Sequence, residues 1–200
     1  ETFGTEGRMR MINIQGKTAP LILRESLEGM GMGDAEIKEK TPLLKKLYFD
    51  RLAELIKTAE CRLMPGINDL IPLLAGRKDV ILGLLTGNFR ESARIKLDRF
   101  GLFPSFAFGV YGDDGEMRNQ LPPVARIRLG EIFGLDIPFD RMIIIGDTVH
   151  DIRCAKYSGA VSVAVATGWT QPSDLLAEEP DYFFETLEDP DGFLELVDSI

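Results

Sequence analysis

The chain has 200 residues, 44% of them apolar and 28% charged, which is enough for one medium domain, or a core plus a small second unit, with a real interior. Its net charge of −9 argues against a nucleic-acid partner, because a phosphate backbone is met by a basic surface. No apolar run approaches the roughly 20 residues of a membrane span, so no membrane partner is expected, and the absence of a signal-peptide pattern gives a cytoplasmic reading.

In chain order, Phe3-Gly4 reads as the tail of a helix begun before Glu1. Ala19 to Met30 reads as a helix stopped by Gly29, Gly31 and Gly33. A second helix is expected from Asp34 to Lys40. A third follows to Ala59, with Thr41 as N-cap and Pro42 as its first residue. From Pro65 the pattern changes. A helix over 67–75 leads to a strand over 79–86 and a helix over 90–100 stopped by Gly101. A strand over 107–111, a helix over 122–133, a strand over 142–145 and a helix over 149–157 follow. A strand over 161–166, a strand-like piece over 182–184 and a last helix near 190–198 complete the chain. Strands alternating with helices predict an α/β fold with a parallel, Rossmann-like sheet covered on both faces.

Two strand ends carry the chemistry. The apolar run Met142 to Ile145 stops at Gly146-Asp147, and Asp151 follows in the first turn of the next helix. Open α/β sheets bind ligands at the carboxyl ends of their strands. Two carboxylates there suit a hard cation such as Mg²⁺, which takes oxygen ligands and substrate phosphate together. Isolated, Asp147 and Asp151 would read as a helix cap and a dipole partner. The other strand end is Thr86-Gly87-Asn88, a hydroxyl, a glycine and an amide, which suits a phosphate that wants donors at close approach.

Other features carry less. Gly29-Met30-Gly31-Met32-Gly33 has no strand before it, Gly16-Lys17-Thr18 lacks the preceding P-loop glycine, and Asp189-Pro190-Asp191-Gly192 follows a charged stretch. Cys61 and Cys154 lack metal-ligand spacing and read as reduced packing residues. The single histidine, His150, reads as a solvent-facing helix residue, and a zinc site or a His triad is not expected. Gln15-Gly16-Lys17-Thr18, a polar turn before a helix N-terminus, makes Lys17 and Thr18 candidate contacts for a substrate's leaving group.

Taken together the chain resembles the haloacid dehalogenase-like (HAD) superfamily, in its phosphoglycolate phosphatase-like branch. The resemblance rests on Leu84-Leu85-Thr86-Gly87-Asn88, on Gly146-Asp147-Thr148-Val149-His150-Asp151, on Pro65-Gly66-Ile67 and on Ala166-Thr167-Gly168, in that family's order. It implies a helical cap over residues 1–61 and a Rossmann-like core over 62–200. It also implies a Mg²⁺-dependent phosphomonoester hydrolase acting on a small phosphorylated metabolite. Thr86 would then hold the transferring phosphoryl group, helped by Gly87 and Asn88; Asp147 would bind Mg²⁺, and Asp151 would support that site.

Two departures accompany the resemblance. The family's first motif, a strand ending Asp-x-Asp-Gly-Thr that carries the nucleophile and the central strand of the sheet, is absent. Roughly 20–30 residues before Glu1 are expected to supply it, a strand plus the start of a helix. The 200 residues alone are expected to be inactive. In place of the family's motif-three lysine the chain has Arg118-Asn119-Gln120-Leu121-Pro122-Pro123, with Arg118 the first candidate for that charge and Arg126 the second. The rival expectation is a non-catalytic HAD-fold binding protein that lacks the first motif. Composition and motifs leave oligomeric state open.

Overall fold

A computed structural model describes residues 2–200. After a run of turns, α1 (Ala19–Leu27) and the long α2 (Asp34–Thr58) precede α3 (Ile67–Gly76). Then β1 (Gly83–Leu85), α4 (Arg90–Asp98), β2 (Phe108–Val110) and α5 (Leu121–Phe133) alternate. The chain closes with β3 (Ile143–Gly146), α6 (Val149–Ser158), β4 (Val161–Val165), α7 (Pro172–Ala177), β5 (Tyr182–Phe184) and α8 (Asp191–Ser199). The α/β class and most of the expected strands and helices are therefore found, but Phe3-Gly4 lies in a bend and not at a helix end, and α7 was not foreseen. Helices α5 and α6 end on Gly134 and Gly159, both left-handed, where a side chain would be strained.

All strand pairs are parallel, in two sheets: β1 beside β2, and β3–β4–β5 in that order. The sheets share their interior. Leu82 and Ile143 pack against one apolar cluster, built from Leu70 and Leu74 of α3, Val163 and Val165 of β4, and Phe193 and Leu196 of α8. Leu85 and Met142 pack against another, formed by Val110, Leu121 and Ala125. Helices α3 and α8 thus cover one face and α5 the other, as parallel sheets require. Among the described residues, β1 pairs only with β2 and β3 only with β4, so each keeps one edge of unpaired backbone groups. Ile145, mid-strand in an apolar run, is 40% exposed. Buried sheet interiors do not leave such edges open.

Two local expectations need correction. The helices foreseen over 34–40 and 42–59 are one 25-residue helix that runs through Pro42. Thr41 does not cap a helix start; its hydroxyl donates back to the Ile37 carbonyl at 2.6 Å, inside the helix. Pro42 removes one helical N–H, and the helix nevertheless continues through it. The strand foreseen over 79–86 is shortened to three residues, although Ala107 N–H to Leu82 O and Thr86 N–H to Val110 O extend its pairing with β2 at both ends.

Helix α2 lies against α4 and the turn after β2. Phe49 meets Phe89 edge-on with ring centroids 6.1 Å apart, the Lys45 ammonium pairs with Asp113, and Arg99 donates to the Ile56 carbonyl at 2.7 Å. These contacts tie α2 to the part of the fold that carries Thr86.

Candidate functional site

The ends of β1 and β3 meet a common piece of chain, Gly16-Lys17-Thr18. A side chain on Gly87 would collide with Lys17 O and Thr18 Cα, and Ala19 N–H donates to Gly87 O at 2.7 Å. Gly16, at φ +66°, presses on Thr148 and His150 at the start of α6, and its carbonyl accepts from Arg118 Nη1 at 3.2 Å. Glycine is required at both contacts, because a Cβ has no room there. One segment therefore gathers Thr86-Gly87-Asn88, Arg118 and the motif around Asp147 and Asp151.

Each expected residue has a definite place. The Thr86 oxygen accepts from the Asn88 N–H at 3.2 Å and from Asn88 Nδ2 at 2.9 Å. Both of its lone pairs are then engaged, and only its own hydrogen remains to be given to a ligand. Asp151 is 4% exposed and engaged through both oxygens: Oδ1 holds Arg118 Nη2, and Oδ2 accepts from Thr148 N–H at 3.1 Å and Thr148 Oγ1 at 2.7 Å. It closes a capping box at the start of α6 and anchors the arginine. Its Oδ1 is held by Arg118 alone, and its Oδ2 is occupied by the two Thr148 donors. Arg118 has 16% of its side chain exposed, and its buried Nε–H meets no acceptor among the described residues. Arg126 lies away from the site, paired with Asp136 at 2.7 Å and stacked on Phe139, so the second motif-three candidate is set aside.

Asp147 differs from Asp151. Burial, and then the charge of Asp151, raise its pKa, while Arg118 only partly offsets them. It is a carboxylate short of positive charge, and its Oδ2 packs so closely on Gly168 that a side chain there would collide with it. Such a hard oxygen donor fits a Mg²⁺ ligand. Among the described residues no group of three or more His, Cys, Asp or Glu side chains is placed to hold a metal unaided.

Lys17 and Thr18 take more settled roles than open ligand contacts. The Lys17 ammonium pairs with Glu25 at 2.6 Å, both side chains being partly buried. Thr18 is fully buried; its hydroxyl donates to the Glu116 carbonyl and accepts from the Leu21 N–H as the N-cap of α1. His150 is half-buried against Gly16, and burial keeps its pKa below the usual value, so at pH 7 it is a neutral imidazole. Burial pushes the Cys154 thiol up to about 12; it donates to the Arg118 carbonyl and is no nucleophile. Sequence reading missed Thr148, although Thr-x-x-Asp before an apolar helix is a capping signature. It also missed Lys96, whose ammonium donates to Asn88 Oδ1 at 2.7 Å, a contact eight positions apart with no sequence signal.

Comparisons with known proteins identify the family and the fold. A family model for haloacid dehalogenase-like hydrolases matches residues 14–156, and a HAD-hydrolase-like model matches 123–190. The chain is 27% identical over 157 residues to the phosphoglycolate phosphatase of Shigella boydii serotype 4, covering 78% of this chain and 60% of that protein. It thus spans about three fifths of the length of the curated relatives it matches. Among solved structures, a hydrolase from Pseudomonas syringae superposes with a TM-score of 0.66 at 21% identity, over 92% of this chain and 80% of that one. A haloacid dehalogenase-like family protein from Streptococcus pneumoniae does so with 0.61 at 19% identity, over 88% and 81%. With the family model spanning most of its length and the family's fold around its site, the chain belongs to the haloacid dehalogenase-like hydrolases.

Proposed function

We propose that the full-length protein is a Mg²⁺-dependent phosphomonoester hydrolase that works through an aspartyl-phosphate. Its nucleophile would stand on a strand, supplied by residues before Glu1, that pairs with the open edges of β1 and β3. One observation carries this reading. A hydroxyl that can only donate (Thr86), a guanidinium with a free Nε–H (Arg118) and an under-compensated carboxylate (Asp147) gather around Gly16-Lys17-Thr18. Together they suit a dianionic phosphoryl group held beside a cation.

In this reading Thr86 donates its hydrogen to a phosphoryl oxygen, and the Gly87-Asn88 backbone lies close beside it. Arg118, held by Asp151 and Gly16 O, points its Nε–H at the nucleophile or a phosphoryl oxygen. Asp147 supplies one metal ligand, and the upstream aspartate another. Bound Mg²⁺ would add positive charge where the phosphoryl oxygens gather negative charge. Residues 1–61 act as the cap that excludes water, over a core of residues 62–200. The names of the relatives make phosphoglycolate the first small phosphorylated metabolite to try.

The deciding experiment is hydrolysis of p-nitrophenyl phosphate and of phosphoglycolate by the full-length protein, in Mg²⁺ and again in EDTA. Turnover that requires Mg²⁺ supports the reading. Phosphate binding without any turnover would instead favour a binding protein of this fold. Thr86→Val should then lower kcat by about 10²–10³-fold, the effect of losing one donor to a developing oxyanion. Lys17 is proposed to steer the substrate's leaving group. Lys17→Ala should raise KM for the preferred substrate well above any rise for p-nitrophenyl phosphate. Equal effects on the two substrates would confine Lys17 to its pair with Glu25.

A further inference from the structure

A threonine hydroxyl does not donate to a ligand by default, because it rotates and gives its hydrogen to the best acceptor nearby. At Thr86 that choice is made by Asn88. With Nδ2 facing Thr86, the hydroxyl oxygen is saturated by two donors and its hydrogen is free. With the amide turned over, Oδ1 would face Thr86, take that hydrogen and remove it from any substrate. The two ends of an amide are nearly equal in size, so packing alone does not choose between them.

Lys96 can make the choice. An ammonium is only a donor, so the Asn88 atom 2.7 Å from Lys96 Nζ has to be the oxygen, which turns Nδ2 to Thr86. Lys96 stands in the later part of α4, and its side chain runs back toward the helix start, the direction helical side chains take. Lys96 is an exposed residue whose ammonium makes no ion pair among the described residues, so its contact with Asn88 Oδ1 is not the by-product of a salt bridge.

We propose that Lys96 is a positioning residue of the phosphoryl site: by holding Asn88 Oδ1 it fixes the amide, and through the amide it keeps the Thr86 hydrogen directed at the phosphoryl group. The proposal rests on the phosphatase reading above. Lys96 touches no reacting atom; it acts through Asn88 and Thr86.

The test measures kcat with p-nitrophenyl phosphate, the dissociation constant for inorganic phosphate and the melting temperature. These are taken for the full-length wild type, K96M, K96R, N88D, T86V and the double variant K96M/T86V. K96M should lose about ten-fold or more in kcat and in phosphate affinity at an unchanged melting temperature, the scale of a misplaced catalytic donor. K96R should stay within a few-fold of wild type. N88D keeps an acceptor for Lys96 but offers Thr86 no amide donor, and should match K96M. In the T86V background K96M should add less than about two-fold, since its route to the substrate is already cut. K96M at wild-type values, K96R as poor as K96M, or an equal K96M loss in both backgrounds would each overturn the proposal. If the wild type shows no phosphatase activity at all, the phosphatase reading fails first. The phosphate-affinity comparison of the two backgrounds then still decides the role of Lys96.

Discussion

Asp147→Asn in the full-length protein should abolish Mg²⁺-dependent phosphate-ester hydrolysis, by about a thousand-fold or more, while leaving the fold intact. A metal contributes several kcal/mol of charge stabilisation in the transition state, and each 1.36 kcal/mol is about ten-fold in rate. The stability side has a definite sign. Burial, then the Asp151 charge, raise the Asp147 pKa, so the folded state holds its proton more strongly than the unfolded chain does. Its ionisation therefore costs stability. The cost sets in as pH rises from the unfolded carboxylate range through the raised folded value, and is constant above it. Asparagine cannot ionise. Without metal, D147N should match the wild type in acid and be equal or more stable at pH 7, with the gap opening across that window. Urea denaturation at several pH values in EDTA measures this. A variant markedly less stable at neutral pH would mean that Asp147 is a structural partner, and activity within a few-fold of wild type would remove its metal role.

Arg118→Met should cost about 3–5 kcal/mol of stability in addition to activity. Asp151 has only 5% of its side chain exposed and relies on Arg118 for its counter-charge, so the variant leaves a buried carboxylate unpaired. The same loss frees the Gly16 carbonyl and with it the grip on the 16–18 segment. Removing both charges should return most of the stability, because two neutral groups leave no isolated buried ion. R118M/D151N is therefore expected near wild type in urea midpoint, yet as inactive as R118M. R118K should be intermediate, since an ammonium keeps the charge but does not reach Asp151 and Gly16 at once as the guanidinium fork does. If R118M unfolds at the wild-type urea concentration, the Arg118–Asp151 pair contributes nothing to the fold.

Much of this protein was legible in its sequence because its signals are local. Alternating β-branched strands and glycine-stopped helices come from backbone preferences within a few residues, and nearly every element from Ile67 onward lies where its pattern put it. Thr86, Asp147 and Asp151 announce themselves because strand ends in parallel sheets are where ligands sit. Thr148 was equally readable from its capping spacing and was passed over. Helix α2 differs from its expected division because Thr41-Pro42 is a valid local start signal that the 25-residue helix runs through.

The tertiary structure alone decided which charges meet. Nothing in the spacing of residues 118 and 151 indicates that they pair, or that Asp151 spends both oxygens on Arg118 and Thr148 while Asp147 is left short of positive charge. Nor does the sequence separate Arg118, which reaches the site, from Arg126, which is held by Asp136. Opposite charges attract over several ångströms whatever their order in the chain, so partner choice depends on the path of the backbone between them. The sequence by itself determined the α/β class, the order of elements and the chemical types at two strand ends. The folded chain determined that Gly16-Lys17-Thr18 joins those ends into one site, because such close contact between glycines and distant backbone exists only once the sheets have assembled.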